Sequence, residues 1–336
     1  MQIVNSVEEE IWRDFLKANP QSNIFHTPEM FEVFNQAQGY KPDSWFILNR
    51  SNKLLAIFLP VYVTLFDGLL KRFTTRAVSF GSILYEPGSE GENAIKFLLE
   101  KYCKKINGQI LFTELRNLSD QNEIQGILND CGYYYEDHLN YLINLNCSAE
   151  DLLKSFGKRT RKRIRRALKQ QKVIVKDLEN FDELELSYKL INKSYSSANV
   201  PLADFSLFKA AFDILSPKGM VKFLVSWVDD TAVAASAELI YKDTIYGWYG
   251  GVDRGFSEFV PNELLMWHIL KWGAENGFRL YDFGGAGKPD EEYGVRDFKA
   301  KFGGELVCYG RNTLIHAPIR LAVSKFGYEI YRRLRV

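Results

Sequence analysis

Residues 281–304 read YDFGGAGKPDEEYGVRDFKAKFGG, and the rest of the chain is best understood outward from them. Leu280, Tyr281 and Phe283 form the end of a buried strand, a glycine-rich loop follows, and a short helix then carries Phe298 and Lys299. Asp282 is the only charged residue between Leu280 and Gly287. An acid within an apolar strand is desolvated, and it persists there only with hydrogen-bond partners or a task. Gly284, Gly285 and Gly287 admit positive φ and let a ligand approach the backbone. The loop is not a P-loop: Asp282 stands where that motif needs its first glycine, and Pro289 follows Lys288 where it needs Ser or Thr.

The elements around this stretch occur twice in the same order. In the second half, apolar runs over 222–228, 232–241 and 244–252 predict three successive strands. A helix over 261–276, a strand over 279–283, a short helix over 296–302 and a strand over 305–314 follow. The first half repeats this with extended segments at 43–49, 54–65 and 77–85 and a helix at 90–105. It ends with a strand at 109–115, a short helix at 122–129 and a last strand at 133–145. Three successive strands predict a meander, and the later strand–helix–strand segment adds parallel pairing. The expectation is a mixed α/β (α+β) protein of two like domains, 1–147 and 148–336, the second carrying the Phe298–Lys299 helix.

Local signals fit these elements. Thr27 before Pro28 and Pro261 mark helix starts, Gly277 marks a helix end, and Asp229–Asp230 marks a tight turn. Ser148 with Asp151 three residues later resembles a capping box. Thr160 is expected to cap the basic helix RKRIRRALKQQ, with Ile164 and Leu168 as its apolar seam. That helix is expected at the boundary of the halves, with Arg161, Arg165 and Arg166 facing a cleft. The segment 318–336 predicts a basic amphipathic helix, with Ile319, Val323, Phe326, Ile330 and Leu334 on one side and Arg320, Lys325, Arg332, Arg333 and Arg335 elsewhere. Such a helix packs on its own domain or lies on a membrane surface.

Composition narrows the classes. With 336 residues, 46% of them apolar, the chain can build two cores. No apolar run approaches the ~20 residues of a membrane span. The start MQIVNSVEEE is not a signal peptide, so a cytoplasmic protein is expected. Cys103, Cys131, Cys147 and Cys308 are scattered, which fits reduced thiols. His26, His138, His268 and His316 share no ligand spacing, so no metal site is expected. The net charge of +1 conceals a polarised chain. Ten Lys and Arg and no acid lie between Lys154 and Lys172, leaving 33 basic against 42 acidic residues elsewhere. Such a run is either a solvated helix face or a contact for phosphates, whether of a nucleotide, a tRNA, a diphosphate-linked lipid or a membrane.

Three second-half segments carry a family resemblance: SFGKRTRKRIRRALKQQKVIV from Ser155, VPNELLMWHILKWGAENGFRLYDFGG from Val260 and YGVRDFKAKFGG from Tyr293. Together they resemble the FemAB-like (peptidoglycan bridge-forming aminoacyltransferase-like) branch of the GNAT acyltransferase superfamily. IFHTPEMFEVFNQAQGY from Ile24 is similar to the start of that family's first domain. The resemblance implies two tandem GNAT-like domains with mixed central sheets and a cleft between them. It also implies transfer of an acyl or aminoacyl group to an amine of a cell-envelope precursor or glycan. No cofactor would be bound; the donor would be aminoacyl-tRNA or acyl-CoA, and the acceptor an anionic, phosphate-bearing molecule. Work at the inner face of the membrane would follow.

The family's Phe–Lys pair matches Phe298 and Lys299, which implies that the Lys299 ammonium stabilises the oxyanion formed on carbonyl attack. Asp282 would accept or orient the proton of the acceptor amine. Gly284, Gly285, Tyr249 and Glu238 are candidates for the substrate wall, and Arg161 and Arg165 for its phosphates. Glu114 is the first-half counterpart of Asp282, but the Phe–Lys pair has no first-half counterpart. The chain departs from peptidoglycan-directed relatives in MFEVFNQ, which has no Lys, and in lacking an insertion between Phe181 and Pro217. DRGFSEFVPNE from Asp253 replaces the pyrophosphate loop of acetyl-CoA enzymes. Two alternatives stand beside the leading reading: an acyl-CoA-dependent N-acyltransferase of an amino sugar, and a non-catalytic binder of nucleic acid or anionic lipid.

Overall fold

The computed structural model describes the chain except residues 67, 335 and 336, and except the side chains of residues 69 and 329–334. Two compact units are present, Met1–Asp137 with Tyr309–Val336, and His138–Cys308.

In the first unit the strands are β1 (Gln2–Val4), β2 (Tyr40–Pro42), β3 (Trp45–Leu48), β4 (Leu54–Phe58), β5 (Val61–Val63), β6 (Arg76–Phe80), β7 (Leu84–Tyr85), β8 (Phe112–Arg116) and β9 (Tyr134–Glu136). Its helices are α1 (Glu9–Ala18), α2 (Pro28–Gln36), α3 (Lys71–Thr74), α4 (Ser89–Ile106) and α5 (Asn122–Asp130). The second unit has β10 (Leu139–Asn144), β11 (Val173–Asp177), β12 (Val221–Val228), β13 (Thr231–Tyr241), β14 (Thr244–Val252), β15 (Leu280–Asp282) and β16 (Glu305–Cys308). Its helices are α6 (Ala149–Ser155), α7 (Lys158–Gln170), α8 (Phe181–Ser197), α9 (Phe205–Leu215), α10 (Pro261–Glu275) and α11 (Gly294–Ala300). The chain then returns to the first unit with β17 (Arg311–Ile315) and α12 (Pro318–Leu334).

The units therefore divide elsewhere than at the 147/148 boundary expected from sequence. The expected strand 133–145 is two strands, and so is 305–314. β9 pairs with β17 in the first unit, whereas β10 pairs antiparallel with both β15 and β16 in the second. The terminal strand of each half thus completes the sheet of the other unit. A local pattern cannot reveal this, because every strand edge offers the same backbone donors and acceptors.

The second unit holds one seven-stranded sheet, ordered β11-β12-β13-β14-β15-β10-β16. β12, β13 and β14 form the expected antiparallel meander, and β15 joins β14 in parallel from Thr244↔Leu280 to Tyr246↔Asp282. α10 packs Leu265, Ile269 and Leu270 into a core shared with Ile245, Tyr281 and Phe302. The first unit has two sheets, β1-β3-β4-β7 and β2-β5-β6-β8-β17-β9. The expected 54–65 segment breaks at Pro60, which lacks an N–H for a ladder. The 77–85 segment breaks at Gly81 and Ser82, with φ of +79° and +67°.

Most caps form as expected. Thr27 Oγ1 accepts from the Met30 amide at 3.2 Å and Ser148 Oγ from the Asp151 amide at 3.1 Å. The basic helix differs from expectation. α7 begins at Lys158, so Thr160 lies inside it, and its inward seam is Thr160, Ile164 and Ala167, while Leu168 is exposed. Positions i, i+4 and i+7 share a face more closely than a seam through Leu168 allows.

Candidate active site

Past Asp282 the chain keeps running along β10. The Phe283 amide donates to Tyr141 O (3.1 Å), Ala286 N to Leu139 O (2.6 Å) and Leu139 N to Gly287 O (2.9 Å). Gly284 and Gly285 bulge from this ladder with φ of +75° and +117°. A Cβ on Gly284 would lie 2.7 Å from Gly247 O, so both the conformation and the space there require glycine. The buried side chain of Asn140 fills the gap. Its Oδ1 accepts from the Gly285 and Tyr141 amides at 2.9 and 2.8 Å, and its Nδ2 donates to Asp282 Oδ1 at 2.6 Å.

The Gly284 amide donates to the same Asp282 oxygen at 2.7 Å. Asp282 Oδ2 accepts no hydrogen bond from the described residues. Burial holds this carboxyl above the ordinary carboxylate range, opposed by Asn140, Gly284 and the charge of Lys299.

α11 brings Lys299 back over the bulge. Its ammonium donates to Phe283 O at 2.6 Å and to Gly285 O, and lies 5.6 Å from the centre of the Phe283 ring. Desolvation lowers this amine to about 8, with Asp282 and Glu238 acting in the opposite direction. An ammonium has three N–H donors, so one remains after the two carbonyls. Glu238 is buried and accepts from Tyr281 Oη at 2.9 Å. Burial pushes Glu238 up to about 7, while its hydrogen bonds and the Lys299 charge pull it down. Gly247, opposite Glu238 in β14, makes this contact possible: a Cβ there would sit 2.6 Å from Tyr281 Oη.

Two organising residues escape a sequence reading. Asn140 belongs to the other half of the chain, and its only signal is a polar side chain within LNYLINL. Arg296 staples the loop: its guanidinium donates to Ala286 O (2.8 Å), Pro289 O (3.1 Å), Glu291 O (2.9 Å) and Lys288 O. A planar fork with five donors suits that task, and its presence in YGVRDFK was the available clue.

The remaining candidates are placed as follows. Phe298 is half-buried, edge-on to Phe302 at 5.1 Å and covered by the Lys301 ammonium at 5.2 Å, so part of its ring belongs to the core. Tyr249 joins an aromatic group with Phe208 (4.8 Å), Trp248 (4.9 Å) and Tyr195 (5.9 Å). Arg161 donates through Nη1 to Lys154 O at 2.6 Å, near the end of α6, which leaves its other N–H groups uncommitted to that carbonyl. Arg165 is exposed and makes no hydrogen bond or ion pair among the described residues. Neither arginine hydrogen-bonds to the loop.

With this geometry described, comparison with known proteins is informative. Residues 154–299 match the family described as Acetyltransferase (GNAT) domain. A Lipid II:glycine glycyltransferase of Staphylococcus epidermidis is 28% identical over 103 residues, which are 27% of this chain and 25% of that protein. The chain thus aligns with only about a quarter of that relative's length. The crystal structure of FemX shares the fold with a TM-score of 0.73 at 15% identity, over 96% of this chain and 100% of that one. A tandem GNAT protein from the clavulanic acid biosynthesis pathway shares it with a TM-score of 0.58 at 10% identity, over 94% and 99%. The strand–bulge–helix built around Lys299 lies in the segment that matches the Acetyltransferase (GNAT) domain family, and the chain as a whole has the fold of FemX.

Proposed function

We propose that the second unit transfers an aminoacyl group from aminoacyl-tRNA to an amine of a lipid-linked or nucleotide-linked cell-envelope precursor, forming an amide. The observation that carries this reading is the Lys299 ammonium, fixed by two backbone carbonyls on the glycine bulge with its third N–H uncommitted. When the acceptor amine attacks the donor ester carbonyl, that N–H meets the developing oxyanion. A prepositioned donor of this kind contributes ~3–4 kcal/mol to the transition state.

The nucleophile must also lose a proton. Asp282 Oδ2 is the acceptor: its raised proton affinity makes it a better base than an exposed carboxylate. Collapse of the intermediate breaks the C–O bond to the donor ribose, and the departing oxygen takes up the proton that Asp282 received from the amine. Gly284 and Gly285 admit the reacting groups to the backbone, and the Tyr249 aromatic group and Phe298 wall the acyl portion. Glu238 supports the Tyr281 side of the strand and tempers the Lys299 charge. No cofactor takes part in these steps.

The choice of tRNA over coenzyme A rests on α7. Lys158, Arg159, Lys162, Arg165, Arg166 and Lys169 on that helix are exposed, and none has a hydrogen-bonded or ion-paired acid among the described residues. Such a surface suits a phosphate backbone, and the glycyltransferase relative agrees with a lipid-linked acceptor. The test is amide formation on a lipid-linked amine acceptor with labelled aminoacyl-tRNA or acyl-CoA as donor. Product from charged tRNA alone, reduced by high salt and by Arg165→Ala with Arg166→Ala, supports the reading. Product from acyl-CoA alone refutes the donor.

A further inference from the structure

α12 lies against α3 in the first unit, with its apolar stripe facing the wrong way for a helix held by its own core. Ile319, Val323 and Phe326 are 81%, 53% and 67% exposed. At about 100° per residue they form one stripe. Leu321, roughly opposite, is the side chain that turns inward, and it is buried. The helix is fixed in this orientation by Arg320, which donates to Arg72 O at 3.5 Å and to Gly108 O. The segment leading into α3 adds three more exposed large apolar residues, Leu65, Phe66 and Leu70. By sequence, residues 65–74 and 318–336 carry Lys71, Arg72, Arg320, Lys325, Arg332, Arg333 and Arg335 against Asp67 and Glu329, an excess of five positive charges.

We infer that this face of the first unit docks onto an anionic lipid bilayer. A helix with an apolar stripe and basic flanks lies in the plane of the headgroups, its apolar residues among the acyl chains and its cations beside lipid phosphates. The charge of the flanks selects this occupant. A second copy of the chain would bring like-charged rims together, whereas an anionic leaflet complements them. Among the described residues no helix is long and apolar enough to cross a membrane, so the contact is peripheral. Docking is independent of the reading of the Lys299 site.

The test is co-sedimentation of the full chain with vesicles of phosphatidylcholine alone or of equal parts phosphatidylcholine and phosphatidylglycerol. The chain is expected to bind the anionic vesicles, and less strongly as salt rises. Combining Ile319→Ser, Val323→Ser and Phe326→Ser should abolish binding. These positions are exposed, so circular dichroism and thermal melting should be unchanged. Each basic side chain near the leaflet contributes about fivefold in affinity, so Lys71→Gln with Lys325→Gln should weaken binding about 25-fold. No binding by the wild type overturns the inference. So does undiminished binding by the triple variant, which would assign any lipid affinity to α7 or another surface. If the triple substitution instead dissolves a dimer seen by analytical ultracentrifugation and leaves vesicle binding intact, the face is a self-association surface. Transfer to a water-soluble acceptor measured in parallel separates this outcome from a failure of the proposed activity.

Discussion

Replacing Lys299 with methionine keeps an unbranched side chain of similar length and removes the ammonium. Two effects on stability oppose one another. Burial holds the amine at about 8 against an ordinary 10.5, so keeping it charged near neutral pH costs about 3 kcal/mol, which methionine relieves. The carbonyls of Phe283 and Gly285 lose their donor, at roughly 1–3 kcal/mol each where water cannot replace it. The variant should therefore fold, with a stability within about 2 kcal/mol of wild type at pH 7. Its transfer rate should fall by about 10²–10³ through loss of the oxyanion donor.

The pH dependence provides a second reading of the same group. The folded pKa lies below the unfolded one, so between about 8 and 10.5 the unfolded chain binds more protons. The penalty is complete below pH 8 and disappears as pH rises through that window. Wild type should gain up to about 3 kcal/mol on the variant across it, measured by denaturant unfolding at each pH. Wild-type activity should meanwhile decline above about pH 8 as the ammonium is lost. A folded Lys299→Met protein with transfer within tenfold of wild type would refute the oxyanion role. An identical pH dependence of stability in the two proteins would refute the desolvated ammonium itself.

Other perturbations follow from the same geometry. Glu238→Gln removes an acid raised from 4.5 to about 7, whose contribution is present below pH 4.5 and lost as pH rises through 7. The variant should match wild type in acid and exceed it at pH 8 by at most about 3 kcal/mol, as read by urea unfolding. Asn140→Ala leaves Asp282 Oδ1 with one donor and two amides unpaired, and urea unfolding should show a loss of about 2–4 kcal/mol. Gly284→Ala forces a Cβ at φ +75° to within 2.7 Å of a carbonyl. Thermal melting should show a loss above about 1 kcal/mol, and a neutral result would contradict the bulge geometry.

Much of the second unit was legible in the sequence because its signals are local. Alternating apolar runs specified the β12–β14 meander, Pro261 the start of α10, and the glycines after Asp282 the bulge. The identity of Asp282, Gly284, Gly285 and Lys299 as neighbours was implicit in a strand, a loop and a one-turn return. The placements that differed from expectation depend on side-chain contacts that a hydrophobic period does not encode. Arg161 could not be assigned to the Lys154 carbonyl without the packing of α6 against α7. Phe298 could not be divided between core and site without the position of Phe302. The stripe of α12 was plain as a period, but a period fixes only which residues share a face, and packing fixed that face outward.

The sequence by itself indicated the element types, their repeated order, the glycine-rich loop after Asp282, the short helix carrying Lys299 and a resemblance to FemAB-like acyltransferases. Tertiary structure alone decided which strands complete which sheet, and with that which residues support the site. Every strand edge offers the same backbone donors and acceptors, so local propensity does not specify which sheet β10 or β17 joins. That choice brings Asn140, 142 residues away, into hydrogen-bond contact with Asp282. A single buried polar side chain from the other half of the chain thereby fixes the bulge on which the lysine acts.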